Sequence, residues 1–176
     1  MRESRLDTND CCIIQFEIEI DDPGRYLMKV KQISSRSGVH IILFNAEMMA
    51  GLHHVCSALK HAFRAFDQGT AISNSPEMEA LLYASGTRQC RSGLRFGIHP
   101  GKNRVYLCVC PGERKALDDL LEDGEIAHED WNILSPEKVE HLMDLFGITP
   151  EELEVSGRDR VTDLILERVA LLEVYR

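Results

Sequence analysis

No stretch of this sequence approaches the roughly 18 apolar residues that a membrane-spanning helix needs, so no membrane partner is expected. Residues 1–10 (MRESRLDTND) are polar and mixed in charge, and no apolar core region follows at leader distance. A secretory leader is therefore not expected, and the chain reads as cytoplasmic, where thiols stay reduced. No Cys-x-x-Cys pair occurs among the six cysteines. Cys11 and Cys12 are adjacent, Cys56 and Cys90 stand alone, and Cys108 and Cys110 are one residue apart, so the usual zinc spacing is absent. In RVYLCVCP the last two fall on one side of an alternating strand, the place of small core residues. Neither a disulfide nor a metal site is expected.

Catalytic motifs are missing too. Gly86, Gly93 and Gly97 fit neither GxGxxG nor the phosphate loop GxxxxGK followed by Ser or Thr. HExxH and GxSxG are both absent. His53, His54 and His61 share one helix, but no two are four apart, so no helical metal pair forms. His53 and His61 are expected on its solvated face. The paired acids Glu151-Glu152 and Asp118-Asp119 suit helix starts or solvated faces. Lacking a nucleophile with its base, a phosphate cradle or a metal cluster, the chain reads as a non-enzyme without a cofactor.

What is present is the make-up of an ordinary globular protein, 44% hydrophobic and 28% charged over 176 residues. That length suits one core, and no repeat or long linker divides it. A single domain is expected over 14–176, behind a flexible segment 1–13. The net charge of -9 argues against coating nucleic acid by bulk attraction. The charge is uneven, however: residues 60–115 hold nine bases against four acids, and residues 117–176 hold seventeen acids against five bases. A basic middle in an acidic chain is either a local polyanion site or ordinary variation of solvated charge.

Alternation in IQFEIEI (14–20) predicts a half-buried strand, closed by an Asp22-Pro23-Gly24 turn. The short run VHIILF (39–44) predicts a more central strand, and NRVYLCVC (103–110) a third. A fourth is placed around Tyr26 to Ile33. Asn45 is positioned to cap a helix whose stripe is Leu52, Val55, Cys56, Leu59, Ala62, Phe63 and Phe66. Ser75-Pro76, Ser135-Pro136 and Thr149-Pro150 each carry a helix-start signature. Thr87 is expected to cap a helix through Arg95, 115–121 is expected to form a short amphipathic one, and a last apolar helix begins near Arg160. The fold class is α+β, a small mixed or antiparallel sheet packed with several helices.

Three stretches stand out: IILFNAEMMAGLHHVCSALKHAFRAF (41–66), EALLYASGTRQCRSGLRFGI (79–98) and DLILERVALLEV (163–174). In this order and spacing they resemble the family of small kinase-binding subunits of the KEOPS complex, the archaeal members above all. FNAE, LLYASGTRQ and ERVALLEV carry most of the resemblance, which runs from about residue 14 to residue 174. Cys90 stands where a larger aliphatic residue is expected, and nothing matches the segment through Cys12. The resemblance implies a non-catalytic subunit that binds a small atypical kinase directly and helps recruit tRNA by its single-stranded 3′ CCA end. Through that kinase it would meet a transferase and a dimerisation subunit. The complex adds a threonylcarbamoyl group to the adenosine beside the anticodon. The alternative is a pure protein adaptor that regulates the kinase without touching RNA.

Residue roles follow from both sources. Arg88, Arg91 and Arg95, with Gln89 beside them, are spaced to share a helix face that can hold phosphates or stack on a base. Lys60 and Arg64 are four apart on the earlier helix and would join them in one groove if the helices pack side by side. Tyr83 and Phe96 are candidate seats for unstacked bases, and Ser85-Gly86-Thr87 for a phosphate. In the last helix Val161, Leu164, Ile165, Val169 and Leu172 are expected to be shared between the core and the kinase. Asp163 and Glu167 would rim that contact.

Overall fold

The computed structural model describes residues 10–174 and has three layers, with a sheet in the middle. The elements run β1 (Cys12–Ile20), α1 (Pro23–Ser37), β2 (His40–Asn45), α2 (Leu52–Asp67), α3 (Pro76–Ser85) and α4 (Cys90–Leu94). They continue with β3 (Gly101–Cys110), α5 (Arg114–Leu121), β4 (Gly124–Ile126), α6 (Pro136–Phe146), α7 (Pro150–Ser156) and α8 (Val161–Val174). All pairings are antiparallel, in the order β2-β3-β1-β4. The chain is a single α+β domain.

Strand alternation decides the layers. Phe16, Ile18, Ile41, Leu43, Leu107 and Val109 pack against Val30 and Ile33 of α1 and Ala116 and Leu120 of α5. The opposite face presents Ile42, Phe44, Tyr106, Cys108 and Cys110 to α2, α3, α6 and α8. β2 is an edge strand, not the central one its apolar run predicted. Helices cover both of its faces, and that double burial, not hydrogen bonding on both sides, gives the run its composition.

The expected strand at Tyr26 to Ile33 is instead the middle of α1. Asp22 Oδ1 accepts the Arg25 N–H at 3.1 Å and Pro23 opens the first turn, so the supposed turn is a helix start. Only Val30 and Ile33 of this helix are buried, and the exposed Leu27 and Met28 blurred its period. Asn45 caps only a short 3₁₀ turn (Ala46–Met48), through Glu47 N–H at 3.0 Å; α2 starts at Leu52 without a side-chain cap. Leu52 itself lies outside the buried stripe.

The amino-terminal expectation also changes. Residues 1–9 of the segment expected to be flexible lie outside the described residues, but Cys12 and Ile13 pair in β1 with Val109 and Cys108. That register carries Cys11 beside Cys110, and the two form a disulfide with Cα atoms 4.3 Å apart. Register is a tertiary property, which is why spacing along the chain gave no sign of the bond. Among the described residues no helix is long and apolar enough to cross a membrane.

Candidate functional site

α3 ends at Gly86, whose left-handed backbone (φ 62°) turns the chain out of the helix. The helix expected from Thr87 through Arg95 shortens to α4. Thr87 Oγ1 accepts the Gln89 N–H at 3.2 Å, holding residues 87–89 as a turn. At Gly93 a Cβ would stand 3.0 Å from both Leu82 and Met78, so glycine sets how closely α4 can lie on α3. Arg88 therefore lies outside the helix and Arg95 at its C-cap; the three arginines do not form one helical row. All three are exposed, as are Gln89 and Lys60.

Several of the other cations are held in ion pairs. Arg104 meets Glu17, Glu47 and Glu129, and Arg114 meets Asp118. Arg64 is bidentate to Glu173 (2.9 Å) and bonds His61 Nδ1 (2.8 Å), so it fastens the end of α8 to α2 and is not a free member of a basic face. Lys60, Arg88, Arg91 and Arg95 have no ion-pair partner among the described residues. The chain has no acid between Glu79 and Glu113 to supply one locally.

The five cations do not line one groove. Lys60 and Arg64 border a depression of about 410 Å³ with Cys56, Ser57 and His61. Arg88 borders another of about 530 Å³ with Ser85, Gly86, Thr87, Leu145, Phe146, Arg168, Leu171 and Leu172. Arg91 and Arg95 border neither. Tyr83 and Phe96 are not seats for bases, being 0% and 3% exposed. Tyr83 stacks on His61 at 5.2 Å and Phe96 stands edge-on to Phe146 at 6.0 Å. His61, expected in solvent, is held between that ring and Glu173 (3.1 Å).

α8 supplies the apolar wall of the larger depression. Val161, Leu164, Ile165, Val169 and Leu172, expected at a kinase contact, are all buried in the core. They mark the inward face of the helix, and only Leu172 among them also lines the depression. The outward face has Leu171 (44% exposed) and Val174 (71% exposed), with Ala170 and half-buried Leu166 beside them. Asp163 and Glu167 are exposed along it, Asp163 paired with Arg160 at 2.8 Å. Leu171 falls two turns after the inward Leu164, so the spacing alone gave no sign that it faces out.

Arg168 was missed altogether. Its guanidinium donates to Phe146 O (2.9 Å), Gly147 O (3.4 Å) and Glu152 (2.9 and 3.0 Å), closing the carboxyl end of α6 against α7 and α8. The floor of the depression is thereby fixed, and Arg88 is left as its unpaired cation. Among the described residues no group of three or more His, Cys, Asp and Glu side chains could hold a metal. The arrangement suits binding: an apolar wall, a cation at the rim and a rigid floor.

Residues 27–173 match the family described as kinase binding protein CGI-121. The chain belongs to that family. No curated protein matches the sequence. The CGI-121 span begins inside α1, so β1, a central strand of the sheet, lies before it. It contains every unpaired cation named above and, apart from Val174, the whole outward face of α8.

Proposed function

We propose that this CGI-121 protein is a non-catalytic subunit of the KEOPS complex. It holds the small atypical kinase with the outward face of α8 and recruits tRNA through the 3′ CCA end. The reading rests on one juxtaposition: exposed Leu171 walls the same depression whose rim carries the unpaired Arg88. An apolar patch with a charged rim is what protein partners bury, and a few central residues of such a patch carry most of the affinity. The transferase and dimerisation subunits are reached indirectly, through the kinase, in the cytoplasm.

The RNA arm uses Arg88, Gln89, Arg91 and Arg95, with Lys60 as an outlying contact, and Arg64 acts by bracing α8. Arginines free of carboxylates can take phosphates bidentately or lie flat on an unpaired base. The charge of -9 opposes bulk attraction, so contact is local and centred on the acid-free stretch 80–112, and a single-stranded end fits it better than a duplex.

Two titrations test the proposal. Leu171→Asp is expected to weaken kinase binding at least about tenfold, the effect of losing one good anchor, while the melting temperature is kept. Unchanged affinity would remove α8 from the contact. Binding to tRNA trimmed of its CCA is expected to fall sharply against intact tRNA at one fixed salt concentration. Equal binding to both would leave a kinase adaptor with no RNA role, the alternative reading.

A further inference from the structure

We infer that Cys11 and Cys110 form a reversible disulfide clasp, with Cys11 as the site of thiol–disulfide exchange. The inference is independent of the kinase and RNA reading. A chain built for an oxidising compartment pairs its cysteines, yet Cys12, Cys56, Cys90 and Cys108 all remain free thiols here and Cys90 is exposed. One disulfide among four thiols, in a chain with a full hydrophobic core, is the pattern of a bond that is made and broken.

Access is one-sided. Cys110 is wholly buried at the end of β3, and Cys11 is only half-buried at the entry to β1. An incoming thiolate therefore attacks the Cys11 sulfur. The Cys11–Cys110 bond breaks, Cys110 leaves as a thiolate and takes up a proton, and Cys11 carries a mixed disulfide. A second thiol releases Cys11, so two monothiols are oxidised to one disulfide while both cysteines are reduced. Cys108, the nearest residue of the same strand face, is also wholly buried, and burial raises its pKa well above the ordinary thiol range, which keeps it out of the exchange.

The clasp lies at the end of the antiparallel β1–β3 ladder, just beyond the pair of Cys12 with Val109. Residues 10–12 meet residues 110–112 through the disulfide and one hydrogen bond from Gly112 N–H to Asp10 O (2.6 Å). A Cβ at Gly112 would stand 3.3 Å from that oxygen and 3.4 Å from Cys12 Cβ, so the strands already meet closely there. The bond closes a loop across a sequence separation of 99 residues. Cutting a loop that long removes a large constraint on the unfolded chain.

The test equilibrates the full chain in mixtures of reduced and oxidised glutathione, then denatures and alkylates it. Intact mass should step reversibly between four and six alkylated thiols, and peptide mapping should join Cys11 to Cys110 in the four-thiol state. Reduction should lower the thermal midpoint by about 5–15 °C. Cys11→Ser should melt with the reduced wild type and ignore the redox buffer. Six thiols in every mixture, a four-thiol state unmoved by excess reduced glutathione, or a different cysteine pair would each overturn the clasp.

Discussion

His54 lies wholly inside the helical layer, its Nδ1 accepting the Ala50 N–H at 3.1 Å and its Nε2 donating to Ala84 O at 2.9 Å. Both ring nitrogens are used by a neutral ring, with the proton on Nε2. Burial lowers its pKa to about 4, against the pull of the Ala84 carbonyl, and nearby Lys138 lowers it further. In the unfolded chain the ring titrates near its ordinary 6.5. As pH falls from about 6.5 to about 4 the unfolded state takes up a proton that the folded state refuses. Stability present above that window is lost across it, by roughly 3 kcal/mol. Denaturant midpoints at pH 7 and pH 5 measure the effect, and His54→Leu should flatten the difference while lowering stability at both. A wild-type midpoint that does not move between those values would mean the ring is not held neutral.

At the scale of elements, α8 works in two directions, and substitutions on its two faces should fail in different ways. Ile165 is fully buried in the main core, so Ile165→Ala should cost about 2–5 kcal/mol, read as a lower denaturant midpoint. Leu171→Asp should leave that midpoint in place and act on binding alone. The contrast also marks what could be read from sequence. Helices opened by Ser75-Pro76, Ser135-Pro136 and Thr149-Pro150 were legible because a capping oxygen and a proline at the first turn are local signals. α1 was not, because its buried positions are only two and its exposed Leu27 and Met28 imitate other patterns. For α8 the apolar residues were legible and their facing was not, since five inward residues and two outward ones crowd one short helix. Arg64 looked free in the sequence because its partner Glu173 lies 109 residues away. The disulfide and the separation of the two depressions depend likewise on packing between distant elements.

The whole molecule is an acidic protein with helices on both faces of its sheet and a long acid-free stretch, residues 80–112, that exposes Arg88, Arg91 and Arg95. Its apolar wall and the unpaired Arg88 lie close together at the α3–α4 turn and the end of α8. On the proposed function, one rigid body holds the kinase and the tRNA end side by side and acts as a bridge between them. Bridging is measured most directly by how much kinase is retained on immobilised tRNA with an intact CCA end, with and without this chain. The account predicts retention that depends on the chain. It should be lost with Leu171→Asp, which keeps tRNA, and with Arg88→Glu combined with Arg91→Glu, which keeps the kinase. Kinase held equally without the chain, or held equally by both variants, would contradict it.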